Sequence, residues 1–420
     1  MTKKRIEKPQ REVTKRQLSQ WQRQKKRQRI IFGSGAFIII AVLGILIAGW
    51  YISQYQPLRQ TVIRVNDTEY NMSYYIKMLK YYGGGQSPNY MSYLADEVVR
   101  VIEQHELIRQ EAMELGISVS NEEVDDERKS RDPPLSKDYR DPVRAEMLVK
   151  KLLDEYFEQK VPVSAEHRHI MAMLLESESQ VYEVRDRLQS GESFGELTSE
   201  LSLEDFSKAN DGDFGWRPEG VLSIMLNSPT LEVNVFSLEA GELSQPIYDE
   251  AQIKNVGYWI IRVLERKEET QEAHVQAILL GSEEEARRVR DRLEAGENFP
   301  TLAAELSQHG ASKVSEGDLG WLIPDMVTPA FDEFAFDSEV ELRTLSEPIR
   351  DELAITKGGY WLIRVLDIDN KKIEDENRDL LKAKLLDEWV EELWNNPQNE
   401  VESFLDDEMK AWAVGQATGS

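Results

Sequence analysis

Five histidines, no cysteine and a scatter of acids and aromatics are what this 420-residue chain offers for chemistry. His167 and His169 alternate around Arg168, so a strand would place both imidazoles on one face, as at the start of a metal site. No third ligand is evident, and accidental spacing accounts for the pair. The absence of cysteine removes disulfides, thiol catalysis and zinc–thiolate centres together. No H-E-x-x-H, G-x-S-x-G, G-x-x-x-x-G-K-[ST] or strand-linked G-x-G-x-x-G occurs, so protease, hydrolase and nucleotide readings have no support, and no cofactor is expected. What remains is apolar: Met326, Phe331, Phe334 and Phe336 in one region, Val221 and Leu226 in another. Such side chains either grip an apolar group or are plain core.

The elements that would position them come in duplicate. Residues 184–202 recur at 289–307 with 12 of 19 positions identical, in the pattern V-R-D-R-L-x-x-G-E-x-F-x-x-L-x-x-E-L-S. GDFGW at 212–216 returns as GDLGW at 317–321 with the same offset of 105, and GYWIIRVL at 257–264 returns as GYWLIRVL at 359–366 with an offset of 102. One unit of about 100 residues is therefore carried twice, an ordinary domain size. In the first copy a strand over 168–175 precedes an amphipathic helix over 179–189, a second helix over 193–202, a Gly-rich turn and a closing strand over 258–264. That order predicts a small α+β domain around one antiparallel sheet. Ahead of the copies, 61–65 reads as a strand and 71–82 and 90–115 as helices, the latter ending at Gly116. Ser120 is an N-cap with acids behind it, and a Pro-rich loop and another helix follow. Beyond the copies, 373–395 and 401–413 read as helices separated at Asn395-Asn396-Pro397.

Charge and hydropathy place the chain. Residues 30–52 hold no charged side chain, matching the roughly 20 residues that cross a bilayer. Residues 1–29 carry twelve Lys and Arg against two Glu, a local +10, which keeps that arm in the cytoplasm and sends the bulk of the chain outside. The run is longer than a signal-peptide core and ends in Trp50 and Tyr51, so an uncleaved single-pass anchor is expected. Removing +10 from the overall −26 leaves −36 for the remainder, which argues against a nucleic-acid partner.

The repeated G-E-x-F and E-L-S block, the GDxGW turn, L-S-x-P-I at 243–247 and 345–349, and the closing GYWxIRV resemble the parvulin-type peptidyl-prolyl isomerases, in particular SurA- and PrsA-like extracytoplasmic foldases. The segment 97–124 resembles their helical chaperone domain. Behind the basic arm (1–29) and the transmembrane helix (30–52) read from charge and hydropathy, the resemblance implies a helical chaperone-like domain (61–160), tandem parvulin-like domains (165–267 and 272–368) and C-terminal helices (371–413) that pack back on the helical domain. It implies binding of unfolded or secreted polypeptides and X-Pro isomerisation, with a non-catalytic holdase as the alternative. The family's proline pocket is lined by Met and Phe above two histidines that flank a polar residue. Met326 and Phe331 carry over to that Met and Phe, with Phe336 nearby, and Val221 and Leu226 are their counterparts in the first copy. His169 matches the first histidine by eye, although alignment of the two copies puts Ala172 and Ala277 there. Trp259 and Trp361 replace the closing-strand histidine in both copies. Asp205 falls at the polar position of the first copy and His309 or Gly310 at that of the second. Client identity, oligomeric state and envelope type are not encoded in these features.

Overall fold

The structure, a computed structural model, describes residues 42–419 and divides into two units: the chain up to Leu152 together with Glu388 onward, and Leu153–Asp387. Of the run over 30–52, residues 30–41 lie outside the described part, which enters on a short apolar helix over 42–50. Among the described residues no helix is long and apolar enough to cross a membrane.

The first unit is helical around a small sheet. Strands β1 (Thr61–Val65) and β2 (Thr68–Asn71) pair antiparallel, and β11 (Val401–Ser403) adds to the other edge of β1. Helices Met72–Gly83 and Pro88–Glu114 enclose an apolar core with Ile63, Tyr75, Leu79 and Ile102, completed by Leu393, Ala413 and Val414 from the C-terminal helices. The packing-back expected of those helices is thus present, although 401–413 opens with a strand before helix Asp407–Thr418. Pro88–Glu114 stops as its sequence requires. Gly116 adopts φ +75°, Ile117 N–H donates to Ala112 O (2.8 Å) and Gly116 N–H to Met113 O (3.1 Å), the pattern that satisfies the last carbonyls of a helix. Ser120 and Glu123 form the reciprocal capping box of helix Asn121–Ser130.

The second unit holds both repeats, and its topology differs from the tandem arrangement in one respect. The first copy supplies β3 (Ser164–Leu175), β4 (Asp213–Pro218) and β5 (Ile247–Lys254); then come β6 (Gly257–Lys267), β7 (Glu272–Leu280), β8 (Asp318–Leu322), β9 (Ile349–Asp351) and β10 (Thr356–Lys372). The sheets run β4-β3-β10-β5 and β8-β7-β6-β9. Each copy's closing strand has crossed to the other copy's sheet: β10 pairs with β3 from Ser164↔Lys372 to Leu175↔Tyr360, and β6 pairs with β7 from Glu272↔Lys267 to Leu280↔Tyr258. Domain one is therefore β3–β5 plus β10, and domain two is the contiguous stretch from β6 to β9.

Near-identity of the two closing strands makes the exchange possible, since either fills either sheet with the same side chains. The hinge makes it specific. Lys254 and Thr356 are equivalent residues of the two copies, offset by 102, and they pair with each other; a tandem chain could not form that pair. Thr356 Oγ1 donates to Val256 O (2.5 Å) beside it, and buried Lys254 donates to Gly358 O. The repeated motifs serve the closure. The L-S-x-P serines accept from amides of the incoming strand, Ser244 Oγ from Ile363 N and Ser346 Oγ from Ile261 N (both 2.9 Å), and the E-L-S serines accept from Leu174 N and Leu279 N. At the first glycine of GDxGW a side chain is excluded twice over: Gly317 has φ +87°, and a Cβ there would lie 2.7 Å from Phe299.

Because the chain has no native cysteine, the exchange has a direct test. Glu166 and Asn370 are cross-strand partners, at a separation compatible with a disulfide. Glu166→Cys with Asn370→Cys should form an intramolecular disulfide under mild oxidation. Glu166→Cys with Glu268→Cys, the pair a tandem arrangement would bring together, should keep free thiols; the opposite result would rule the exchange out.

Candidate functional site

Each sheet has two differently covered faces, because alternate residues of a strand point to opposite sides. In domain two, Tyr258, Ile260, Ile278 and Leu280 lie under helices Glu283–Glu294 and Phe299–Leu306. The other face carries Trp259, Ile261, Val275, Ala277 and Leu279 and receives the short helix Pro329–Ala335. Domain one repeats this: Met173, Leu175 and Leu362 face the long helix, while Ile170, Ala172, Leu174, Trp361 and Ile363 face Pro229–Ser237. The short-helix face is the candidate site, since there aromatic side chains, a polar cluster and exposed apolar loops meet.

In domain two Phe331 is fully buried and meets Trp259 edge to face, with ring centroids 5.1 Å apart. Phe334 and Phe336 pack half-buried around the same cluster. His309 approaches Trp259 from another side at 5.2 Å. It caps helix Gly310–Val314 by accepting Ser312 N–H at Nδ1, and burial holds its pKa below the ordinary value. Met326 stands on the loop before the short helix with 60% of its surface exposed. Met326 and Phe331 therefore have different situations, one a loop contact and the other core.

Domain one places Val221 in full burial and Leu226 in the wall of a 360 Å³ cleft with Asp205, Ile224, Met225 and Ile253. The cleft unites three features that the sequence left apart, the polar position, the Phe counterpart and the C-terminal end of β5. His169 is elsewhere. Its neighbour Arg168 donates to Val235 O and Leu238 O on the short-helix side, so alternation points His169 to the other face. There Nε2 meets Asp213 Oδ1 (3.0 Å) and the ring stacks on Trp216; His274, Asp318 and Trp321 repeat the arrangement at 2.8 Å. Ala172 and Ala277 occupy the corresponding sites on the short-helix face. His167 turns Nδ1 to Ala165 O, and among the described residues no group of three His, Cys, Asp or Glu could hold a metal ion.

Sequence reasoning missed the polar floor. Trp259 Nε1 donates to Asp351 Oδ2 at 2.9 Å, and Thr328 Oγ1 donates to the same oxygen at 2.5 Å. In domain one Trp361 Nε1 donates to Asp249 Oδ2 at 3.1 Å, joined by the Ser228 hydroxyl. The available signal was an aspartate two residues after L-S-x-P-I in both copies.

A second concavity, 1120 Å³, lies in the helical unit, with Tyr70, Tyr74, Lys77, Arg109 and Arg140 in its lining. Glu106 on its wall is almost wholly buried. Burial alone would raise its pKa, but hydrogen bonds from Arg109, Thr68, Gln110 and Tyr70 outweigh this and hold it below the ordinary value.

The second unit thus builds a four-stranded antiparallel sheet with helices on both faces twice, around the same motifs. Residues 169–265 and 258–368 each match a family model described as PPIC-type PPIASE domain, so the chain carries two domains of this parvulin-type family. The two matches overlap on the exchanged strand β6. More particularly, the chain is 26% identical over 262 residues to Chaperone SurA of Chromohalobacter salexigens, covering 58% of this chain and 53% of that one. It is 30% identical over 193 residues to Foldase protein PrsA of Caldanaerobacter subterraneus, covering 42% and 59%. The chain thus spans about half the length of these relatives. Among solved structures, PrsA from Bacillus anthracis aligns over 76% of this chain and 95% of its own, at 13% identity and a TM-score of 0.31.

The burial difference predicts separable effects. Phe331→Ala should cost roughly 3–5 kcal/mol of stability through cavity formation, read by thermal unfolding. Met326→Ala should leave stability within about 0.5 kcal/mol while weakening binding of a proline-containing peptide; unchanged binding would remove Met326 from the pocket.

Proposed function

We propose that the chain is a membrane-anchored, extracytoplasmic folding factor that binds unfolded polypeptides and accelerates X-Pro cis/trans isomerisation, chiefly in domain two. The observation that carries this reading is the pairing of an aromatic, polar-floored face with apolar side chains left in solvent beside it. The connection after Asp351 and the loop before Thr328 expose Leu353 and Met326, and Ile253 and Ile224 border the domain-one cleft. Exposed apolar side chains clustered at a concave site suit a chain that presents its own apolar residues.

No bond is broken in the reaction. The barrier, about 18–20 kcal/mol, is the loss of amide conjugation, and a dry pocket that holds the proline ring while the preceding carbonyl turns favours the twisted state over either planar one. Domain two has the aromatic bulk for this in half-buried Phe334 and Phe336, backed by the buried Trp259 and Phe331, with His309 as the adjacent polar group. Domain one offers aliphatic Leu226, Ile224 and Met225 instead. The anchor rests on the uncharged run over 30–52 behind a basic arm.

One observation favours a second reading, a holdase without turnover. The short-helix faces carry indoles at the closing strand, and their only N–H groups are taken up by Asp351 and Asp249.

With the purified full chain in detergent, substoichiometric amounts should speed the slow phase of a proline-limited refolding protein several-fold (phase of tens of seconds uncatalysed). No acceleration, with aggregation of the same protein still suppressed, would establish the holdase. For the topology, protease added to intact spheroplasts should digest the chain beyond residue 60 and leave a short membrane-protected basic fragment. Complete protection of the chain would refute the extracytoplasmic placement.

A further inference from the structure

We propose that the hydrogen-bonded chains Trp259–Asp351–Thr328 and Trp361–Asp249–Ser228 are positioning elements that set the geometry of both proline pockets, each spanning the two repeats. The proposal rests on the reading of the short-helix faces as X-Pro sites.

The geometry is the same at every step. Asp351 is 2% exposed; its Oδ2 takes the Trp259 indole N–H and the Thr328 hydroxyl, and its Oδ1 takes the amide of Leu353 at 2.9 Å. Thr328 uses a lone pair of that hydroxyl to accept Phe331 N–H at 3.4 Å, as N-cap of helix Pro329–Ala335. Asp249, also 2% exposed, takes Trp361, Ser228 and, at 3.1 Å, the amide of Ala251. Ser228 in turn accepts Leu231 N–H at 3.0 Å and caps helix Pro229–Ser237. The closing strand is thus linked through a carboxylate to the first turn of the helix that brings apolar side chains over the face.

Bulk alone does not call for this arrangement. A buried carboxylate is costly unless its oxygens are fully occupied, and among the described residues no Lys or Arg ion-pairs with Asp249 or Asp351. Phenylalanine over leucine would fill the same space without a charge to desolvate. Two copies that have diverged over most of their length both keep the acid, the indole and the hydroxyl, with Ser for Thr as the only change. What the polar chain adds over an apolar one is direction: it fixes the indole plane and the helix start against each other. All its donors are internally used, so it touches no client and acts through the side chains it places. The exchanged strands give it its span. Trp259 belongs to the first repeat and serves domain two, Trp361 belongs to the second and serves domain one, and the nine residues between each Asp and the following Trp cross from one pocket to the other.

The test uses the full chain with substitutions made in both domains at once: Trp259→Phe with Trp361→Phe, Thr328→Val with Ser228→Ala, and Asp351→Asn with Asp249→Asn. The readouts are KM and kcat for a chromogenic peptide with one X-Pro bond, equilibrium binding of that peptide against its Pro→Ala counterpart, and thermal unfolding. The Phe and Val/Ala sets should each weaken proline-peptide binding about tenfold, and combining them should be no worse than the weaker set, as expected for members of one network. The Asn set keeps an acceptor oxygen for the indole and the hydroxyl, gives up only the acceptor of the Leu353 and Ala251 amides, and should bind the peptide more tightly than either of the other sets. Additive losses, losses that follow the unfolding temperature across all three sets, or unchanged binding would overturn the positioning role while leaving the pocket reading in place. A parent chain that does not prefer the proline peptide would overturn the pocket reading and this proposal with it.

Discussion

The crosswise pairing of the closing strands is the constraint on which the rest of the second unit depends. β10 completes the sheet begun by β3, and β6 completes the sheet begun by β7. Every other device in the two domains acts on that closure: the L-S-x-P and E-L-S serines satisfy strand amides, and the Trp–Asp pairs join the incoming strand to the edge strands β5 and β9. The hinge between domains is only Asn255-Val256 on one side and residues 352–355 on the other. Two short connections, tied by the Lys254↔Thr356 pair, restrict relative motion far more than the single linker of a tandem array would.

The elements themselves were legible. Helix periodicity, the Gly116 stop, the Ser120 cap and the repeat frame predicted their positions to within a few residues, because each is decided by local chemistry. The exchange was not legible, and for a physical reason. GYWIIRVL and GYWLIRVL present the same alternation to either first strand, so hydrophobic patterning cannot choose between partners. Only the hinge distinguishes the two pairings. The site was half legible: Phe331 and Met326 could be picked out by position, but that one is core and the other in solvent depends on packing. Histidine at 169 looked chemical by residue type, yet a strand's two-residue period carries it to the face away from Trp361.

The two pockets also illustrate how an indole can stand where an imidazole would be expected. A neutral histidine could donate, accept or titrate; an indole can only donate. Pairing each indole with a buried aspartate turns that limitation into a fixed link, and a third donor, a helix-capping hydroxyl, completes the carboxylate. The consequence is a floor that does not titrate through the ring and does not offer a proton to a bound chain. His309 is left as the imidazole bordering Trp259 in domain two, its pKa held below the ordinary value by burial.

Read in chain order, the strand pairings are nested. The helical unit is opened by β1 and closed by β11, domain one is opened by β3 and closed by β10, and domain two, from β6 to β9, lies wholly inside. A sheet cannot close before its last strand exists. As the polypeptide is delivered N-terminus first, domain two is the first to possess all its strands, domain one follows, and the helical unit, although it begins earliest, is completed last. Strand pairing thus closes from the innermost stretch of the sequence outward, the three-stranded sheet of the helical unit waiting on β11.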